Sequence, residues 1–153
     1  MTTQSSDPPA IASPVNTKRT VMAQVSLCQG CCCGNISRGK PDVPVDWIKQ
    51  QWRQRGLLKH IQLTISGCLG PCDLVNVVRI SCKGSDLWLG NIRSFEQYSD
   101  LVDWAERSKT AGNLLPLSKS IAELRFNPFH DIASENGWID SKPFTFFEAE
   151  GAQ

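Results

Sequence analysis

Histidine is scarce in this chain. Only His60 and His130 occur in 153 residues, and neither stands at ligand spacing from the other. Rieske-type iron–sulfur ligation is therefore not expected, and no Ser/His/Asp set stands out. No phosphate-binding glycine loop or paired-carboxylate site stands out either. Charge of one sign is also lacking. Sixteen Lys and Arg face fifteen Asp and Glu, leaving +1, so bulk electrostatics do not favour nucleic acid as a partner. No apolar run approaches the roughly 18–20 residues of a membrane span. Met1 to Lys18 has neither the basic start and apolar stretch of a secretory signal nor the Arg-rich character of a transit peptide. The expectation is a cytoplasmic protein, with no nucleic-acid and no membrane partner, of a length that supports one domain with a real core.

Cysteine, by contrast, is plentiful and clustered. Six of the seven fall into two groups: Cys28 with Cys31, Cys32 and Cys33, then Cys68 with Cys72. In a reducing compartment such groups read as metal-binding or redox sites rather than as a disulfide framework. Four thiolates supplied in two pairs suit a metal ion or an iron–sulfur cluster. The seventh, Cys82, falls within an expected strand and reads as a small buried hydrophobe.

Residues 1–20 form a Ser/Thr/Pro-rich segment, too poor in apolar residues to offset its chain entropy, and are expected to be a disordered tail. Alternation predicts strands over Val21–Leu27, Ile61–Ser66, Val75–Cys82 and Leu87–Ile92, with a turn at Lys83 to Asp86. Helical periodicity predicts a first helix over Val45–Leu58, with Val45, Ile48, Trp52 and Arg55 on one stripe. A second helix starts at Ser94, which forms a capping box with Gln97 and presents Phe95, Tyr98, Leu101, Val102 and Ala105. Trp47, Trp52, Trp88 and Trp104 read as core or core-rim residues. The order β-α-β-β-β-α contains one crossover joining parallel strands, then a hairpin. That is an α/β fold of thioredoxin-like layout with a small mixed sheet, spanning residues 21–112. Residues 113–153 form an irregular C-terminal extension, with a short helix within Leu117–Phe126 and aromatics at Phe129, Trp138, Phe144, Phe146 and Phe147. The preferred reading is a tail wrapping the domain.

Both cysteine groups follow strands that flank the crossover, so both loops emerge at one edge of the sheet. Four sulfurs can meet there: Cys28, one of Cys31, Cys32 and Cys33, and the pair Cys68 and Cys72. Four thiolates, two ferric ions and two sulfides carry a formal charge of about −2. That charge calls for backbone N–H donors, which Gly30, Gly34, Gly67 and Gly70 are placed to supply.

The run Cys28-Gln-Gly-Cys-Cys-Cys33, then Ser66-Gly-Cys68-Leu-Gly-Pro-Cys72, then Leu87-Trp-Leu-Gly-Asn91, resembles the thioredoxin-like [2Fe–2S] ferredoxins over about Val21 to Arg107. Cys-Gln-Gly-Cys-Cys-Cys-Gly-Asn and the Pro-Val-Asp-Trp helix entry most resemble members associated with cobalamin biosynthesis and cobalt chelation. The resemblance implies a single [2Fe–2S] cluster held by Cys28, Cys68 and Cys72. The Cys-x4-Cys spacing of related complex I subunits selects Cys33 as the fourth ligand. It implies a one-electron carrier rather than an enzyme, working with a redox partner protein, and it is compatible with a homodimer. Arg38, Lys40, Arg53, Arg55, Lys59 and His60 offer a basic face to an acidic partner, although a solvated helix face accounts for most of them.

Three other readings compete. A structural zinc site would use Cys28, Cys31, Cys68 and Cys72. A thiol–disulfide oxidoreductase would use Cys28-Gln-Gly-Cys31, leaving Cys68 and Cys72 unexplained. A regulatory or metal-delivery module beside a cobalt enzyme would share the fold without using its redox state.

Overall fold

The computed structural model describes residues 17–130. The expectations for residues 1–16 and for Trp138, Phe144, Phe146 and Phe147 lie outside the described residues. Strand β1 (Ala23–Cys28) leads through a 3-10 turn (Ile36–Arg38) to helix α1 (Val45–Gln54) and strand β2 (Ile61–Ser66). Strands β3 (Val78–Cys82) and β4 (Ser85–Leu89) follow, then α2 (Phe95–Ala111), α3 (Lys119–Ala122) and β5 (Arg125–Phe126). The sheet order is β2-β1-β3-β4-β5. β1 and β2 are parallel, and the remaining pairs are antiparallel. The crossover and hairpin expected from the sequence are both present, in a mixed α/β fold of thioredoxin-like layout.

Period-two alternation divides the sheet into two faces. Ala23, Val25 and Leu27 of β1 join Val78, Ile80, Leu87 and Leu89 in the main core, beneath Ile48 and Trp52 of α1 and Tyr98, Leu101, Val102 and Trp104 of α2. The other face carries Gln24, whose amide donates to Thr64 (2.7 Å), and Arg79, which pairs with Asp86 (2.5 Å) and lies over the Trp88 ring. Cys28 belongs to this second face. It is buried there with Cys33, Val77 and Trp88 in a small apolar cluster against Leu69, Leu74 and Phe126.

Several boundaries differ from expectation. α1 stops at Gln54 because the backbone reverses at Gly56, after which Leu57 drops into the core and donates its N–H to the Trp52 carbonyl. The Trp52 indole then donates to the Ile61 carbonyl (2.8 Å), fixing how β2 begins. Arg55 leaves the expected buried stripe and joins Asp103 and Glu106 of α2, each at 2.7 Å. β3 starts at Val78 rather than Val75 because Asn76 adopts φ 60°, a left-handed conformation that interrupts a strand. The β3–β4 turn is only Lys83-Gly84, since Cys82 pairs with Ser85. β4 correspondingly ends at Leu89, before Asn91 at φ 57°. Phe95 is half-exposed and packs on Trp47, 4.4 Å between ring centroids, instead of entering the core.

The Ser94 capping box forms with both of its hydrogen bonds, and α2 ends at Gly112. Leu117–Phe126 was expected to hold a short helix. Helix covers only Lys119–Ala122, and Arg125–Phe126 instead pairs with β4 as a fifth strand. Leu117 and Ile121 are fully buried in the main core. Gly90 makes this possible: its N–H donates to the Leu124 carbonyl, and a Cβ there would stand 3.1 Å from the Phe126 ring. The glycine of the Trp88-Leu-Gly90 run is thus where the returning chain lies against the sheet. Among the described residues no helix is long and apolar enough to cross a membrane.

Candidate metal centre

The site is built by strand register. Cys28 ends β1 opposite Ser66, which ends the parallel β2. Neighbouring strands run about 4.8 Å apart, so two chains leaving the same sheet edge stay adjacent. They are also tied together: Gln29 N–H donates to the Ser66 carbonyl (3.1 Å), and the Ser66 hydroxyl to the Leu27 carbonyl (3.2 Å). Gly30 then passes so close to the second loop that a Cβ would meet Cys68 N at 3.6 Å.

Six thiols gather at this edge in two layers. The inner layer is Cys28 and Cys33, 4% and 3% exposed. Burial first, and the neighbouring Cys33 thiol second, push Cys28 up to about 12, while the Leu69 N–H works the other way. The outer layer is Cys31, Cys32, Cys68 and Cys72, all exposed or half-exposed. Cys68 and Cys72 sulfurs are 3.3 Å apart. Either sulfur can donate to the other. The hydrogen bond from Cys72, with the Gly70 N–H, lowers Cys68, and the same bond raises Cys72 to about 12. The sulfurs of Cys31, Cys32 and Cys72 all lie within 4.8 Å of one another. A group of thiols able to hold a metal centre is therefore present.

Cys82 stands apart. It pairs with Ala23, at the far end of β1 from Cys28, about 17 Å along the strand at 3.3 Å per residue. It is half-buried rather than fully buried, and burial followed by Asp86 raises its thiol.

Sequence reasoning missed Asn76. This residue is 1% exposed and makes five hydrogen bonds. Its backbone N–H donates to the Cys33 sulfur (3.2 Å). Its side-chain oxygen accepts from Gly34 N–H (2.8 Å), and its side-chain nitrogen donates to the carbonyls of Pro41 (3.0 Å), Asp42 (3.2 Å) and Ile92 (2.9 Å). One amide thus holds the end of the first cysteine loop against the entry to β3. An Asn ahead of a strand carries no such signal in the sequence beyond its tolerance of positive φ.

The donors to sulfur are not mainly the glycines expected. Gly70 serves Cys68, but Gly34 serves Asn76 and Gly30 donates to the Cys33 carbonyl. Leu69 and Asn76 supply the inner thiols. The donor chemistry fits a thiolate-ligated group: each inner sulfur and Cys68 already receives a backbone N–H, the partner an anionic sulfur requires. The Tyr98 hydroxyl adds a buried polar atom with no hydrogen-bond partner among the described residues. Burial first, and then Cys33, oppose its ionisation, so it stays a neutral phenol.

No protein-family model and no curated protein matches this chain. Among solved structures, a crystal structure at 1.5 Å resolution of the wild-type thioredoxin-like [2Fe-2S] ferredoxin from Aquifex aeolicus is similar. The TM-score is 0.42 with 17% identity, covering 71% of this chain and 99% of that one. A likeness this slight carries no argument; fold and chemistry stand on sheet order and sulfur geometry.

Proposed function

We propose that the protein is a one-electron carrier binding a single [2Fe–2S] cluster through Cys28, Cys33, Cys68 and Cys72. One observation carries this reading. The thiols stand as two close pairs, Cys28 with Cys33 on one loop and Cys68 with Cys72 on the next, and the two loops are hydrogen-bonded side by side. A diiron core takes two thiolates on each iron. The N–H donors at Cys28, Cys33 and Cys68 would stabilise its negative charge.

In this arrangement the inner pair is shielded by Trp88, Val77, Leu69 and Phe126, and the outer pair faces solvent. Bound there, the cluster supplies reversible one-electron chemistry. The chain's own part is to exclude water from one side, hold the sulfurs in register and leave the other side open for electron exchange. The group at this edge is all sulfur, and no proton-transfer side chain is needed for that role. A carrier of this kind works with a separate redox protein. The candidate partner class, an enzyme of cobalamin biosynthesis or cobalt chelation, rests on the resemblance of the Cys-Gln-Gly-Cys-Cys-Cys-Gly-Asn run and the Pro-Val-Asp-Trp helix entry. Of the basic face, Arg55 is engaged by Asp103 and Glu106, which removes it from partner recognition.

The deciding experiment is an absorption and EPR spectrum of anaerobically purified protein, oxidised and dithionite-reduced, with iron and sulfide analysis. The expected result is two iron and two sulfide per chain and a one-electron EPR signal on reduction. A colourless protein without iron or sulfide after anaerobic reconstitution would overturn the reading.

A further inference from the structure

Two thiols remain once a diiron core has its four ligands: Cys31, which is exposed, and Cys32, which is half-buried. From the positions of these two we infer that the outer layer is a second, mononuclear metal site: Cys31, Cys32, Cys68 and Cys72 form a tetrathiolate cage for one thiophilic divalent ion such as zinc. The inference rests on the cluster assignment above, because it is that assignment that leaves Cys31 and Cys32 over.

Spacing separates the two kinds of site. Four thiolates on one zinc ion at about 2.3 Å stand about 3.8 Å from each other. The Cys31, Cys32 and Cys72 sulfurs are all within 4.8 Å of one another. Sulfurs on different irons of a diiron core stand further apart than two sulfurs on one ion. Cys68 adjoins this group of three: its sulfur is 3.3 Å from Cys72, next to which it supplies the fourth thiol. The loop is built to hold this geometry. The Cys31 carbonyl accepts from Asn35 Nδ2 (3.0 Å) and from the Arg38 guanidinium (3.2 Å), and Asn35 N–H closes onto the Cys32 carbonyl (3.2 Å). On binding, four thiols release their protons and take one divalent ion, leaving a formal charge of about −2. Arg38 lies beside that charge.

Cys68 and Cys72 belong to both sets, so the two sites exclude each other. A chain holding the single ion cannot hold the diiron core, and the loop pair becomes a point at which zinc competes with cluster loading.

The test uses full-length protein from iron-depleted cells, titrated anaerobically with Co(II) as an optical probe and then displaced by Zn(II). Wild type should bind one Co(II) with intense thiolate-to-cobalt absorption, and Zn(II) pre-loading should block reconstitution with iron and sulfide. The double variant Cys31→Ser/Cys32→Ser should keep two iron and two sulfide on reconstitution. It should lose Co(II) affinity by more than the roughly 10–100-fold that loss of a supporting residue costs. Unchanged Co(II) binding in that variant, or undiminished cluster assembly in zinc-loaded wild type, would overturn the outer site and leave the cluster reading standing. A wild type that binds Co(II) with the thiolate band lost in the double variant, yet never takes up iron and sulfide, supports the outer site and sinks the cluster reading. The double variant removes only exposed or half-exposed thiols, so its fold is not at risk.

Discussion

Asn76 shows how one side chain can govern a site it does not ligate. Replacing it with alanine leaves Gly34 N–H and three carbonyls without their partner. Each unsatisfied buried group costs about 1–3 kcal/mol, so Asn76→Ala should lose roughly 3 kcal/mol or more in urea unfolding. Asn76→Gly removes the cost of a Cβ at φ 60° and should recover only about 1 kcal/mol of that loss. Recovery to wild-type stability in the glycine variant would show that the side-chain bonds contribute little. Among the cysteines, Cys72→Ser should strip the iron, and Cys33→Ser should cost more iron than Cys31→Ser, as measured by iron content after reconstitution. Full iron retention in Cys72→Ser counts against the ligand set.

Helices α1 and α2 hold the closed side of the sheet, and two local devices set their placement. The Ser94 capping box satisfies donors at the start of α2, and Ser94→Ala should lower stability by about 1 kcal/mol, read as a shift in the denaturation midpoint. Arg55 ties the end of α1 to Asp103 and Glu106 of α2 from a side chain that is 24% exposed. Arg55→Ala should cost about 0.5–1 kcal/mol. That loss should shrink in high salt because both acids are largely exposed and screened; a salt-independent loss would mean that packing of the arginine stem dominates. The strands were well announced by alternation in β1 and β2, and the capping box by Ser94 and Gln97. The end of α1 and the start of β3 were not. Both are set by left-handed residues, Gly56 and Asn76, whose conformation satisfies contacts distant in sequence.

Taken together, the fold is a core closed by two helices, with a second sheet face and a cysteine edge that rely on loops for order. A cluster binding there contributes its binding energy to those loops. Removing iron with a chelator should accelerate hydrogen exchange over residues 28–35 and 67–77, while the β1 and β3 amides over the main core stay protected. Uniform loss of protection would mean that the cluster supports the entire domain.

The amino-acid order already declared the β-α-β-β-β-α layout, the two cysteine groups and their meeting at one sheet edge. Those features are written in period-two and period-3.6 patterns and in Cys-x3-Cys spacing, which neighbouring residues express on their own. It left open which of Cys31, Cys32 and Cys33 lies inside. That was decided by folding: the Asn76 N–H reaches the Cys33 sulfur across the loop, and Trp88 and Val77 bury that sulfur beside Cys28. The fifth strand was likewise hidden, since Arg125–Phe126 becomes a strand only when Gly90 admits the Phe126 ring. Contacts between residues far apart in the chain leave no local periodicity, and at this site they sort six similar thiols into an inner pair and an outer four.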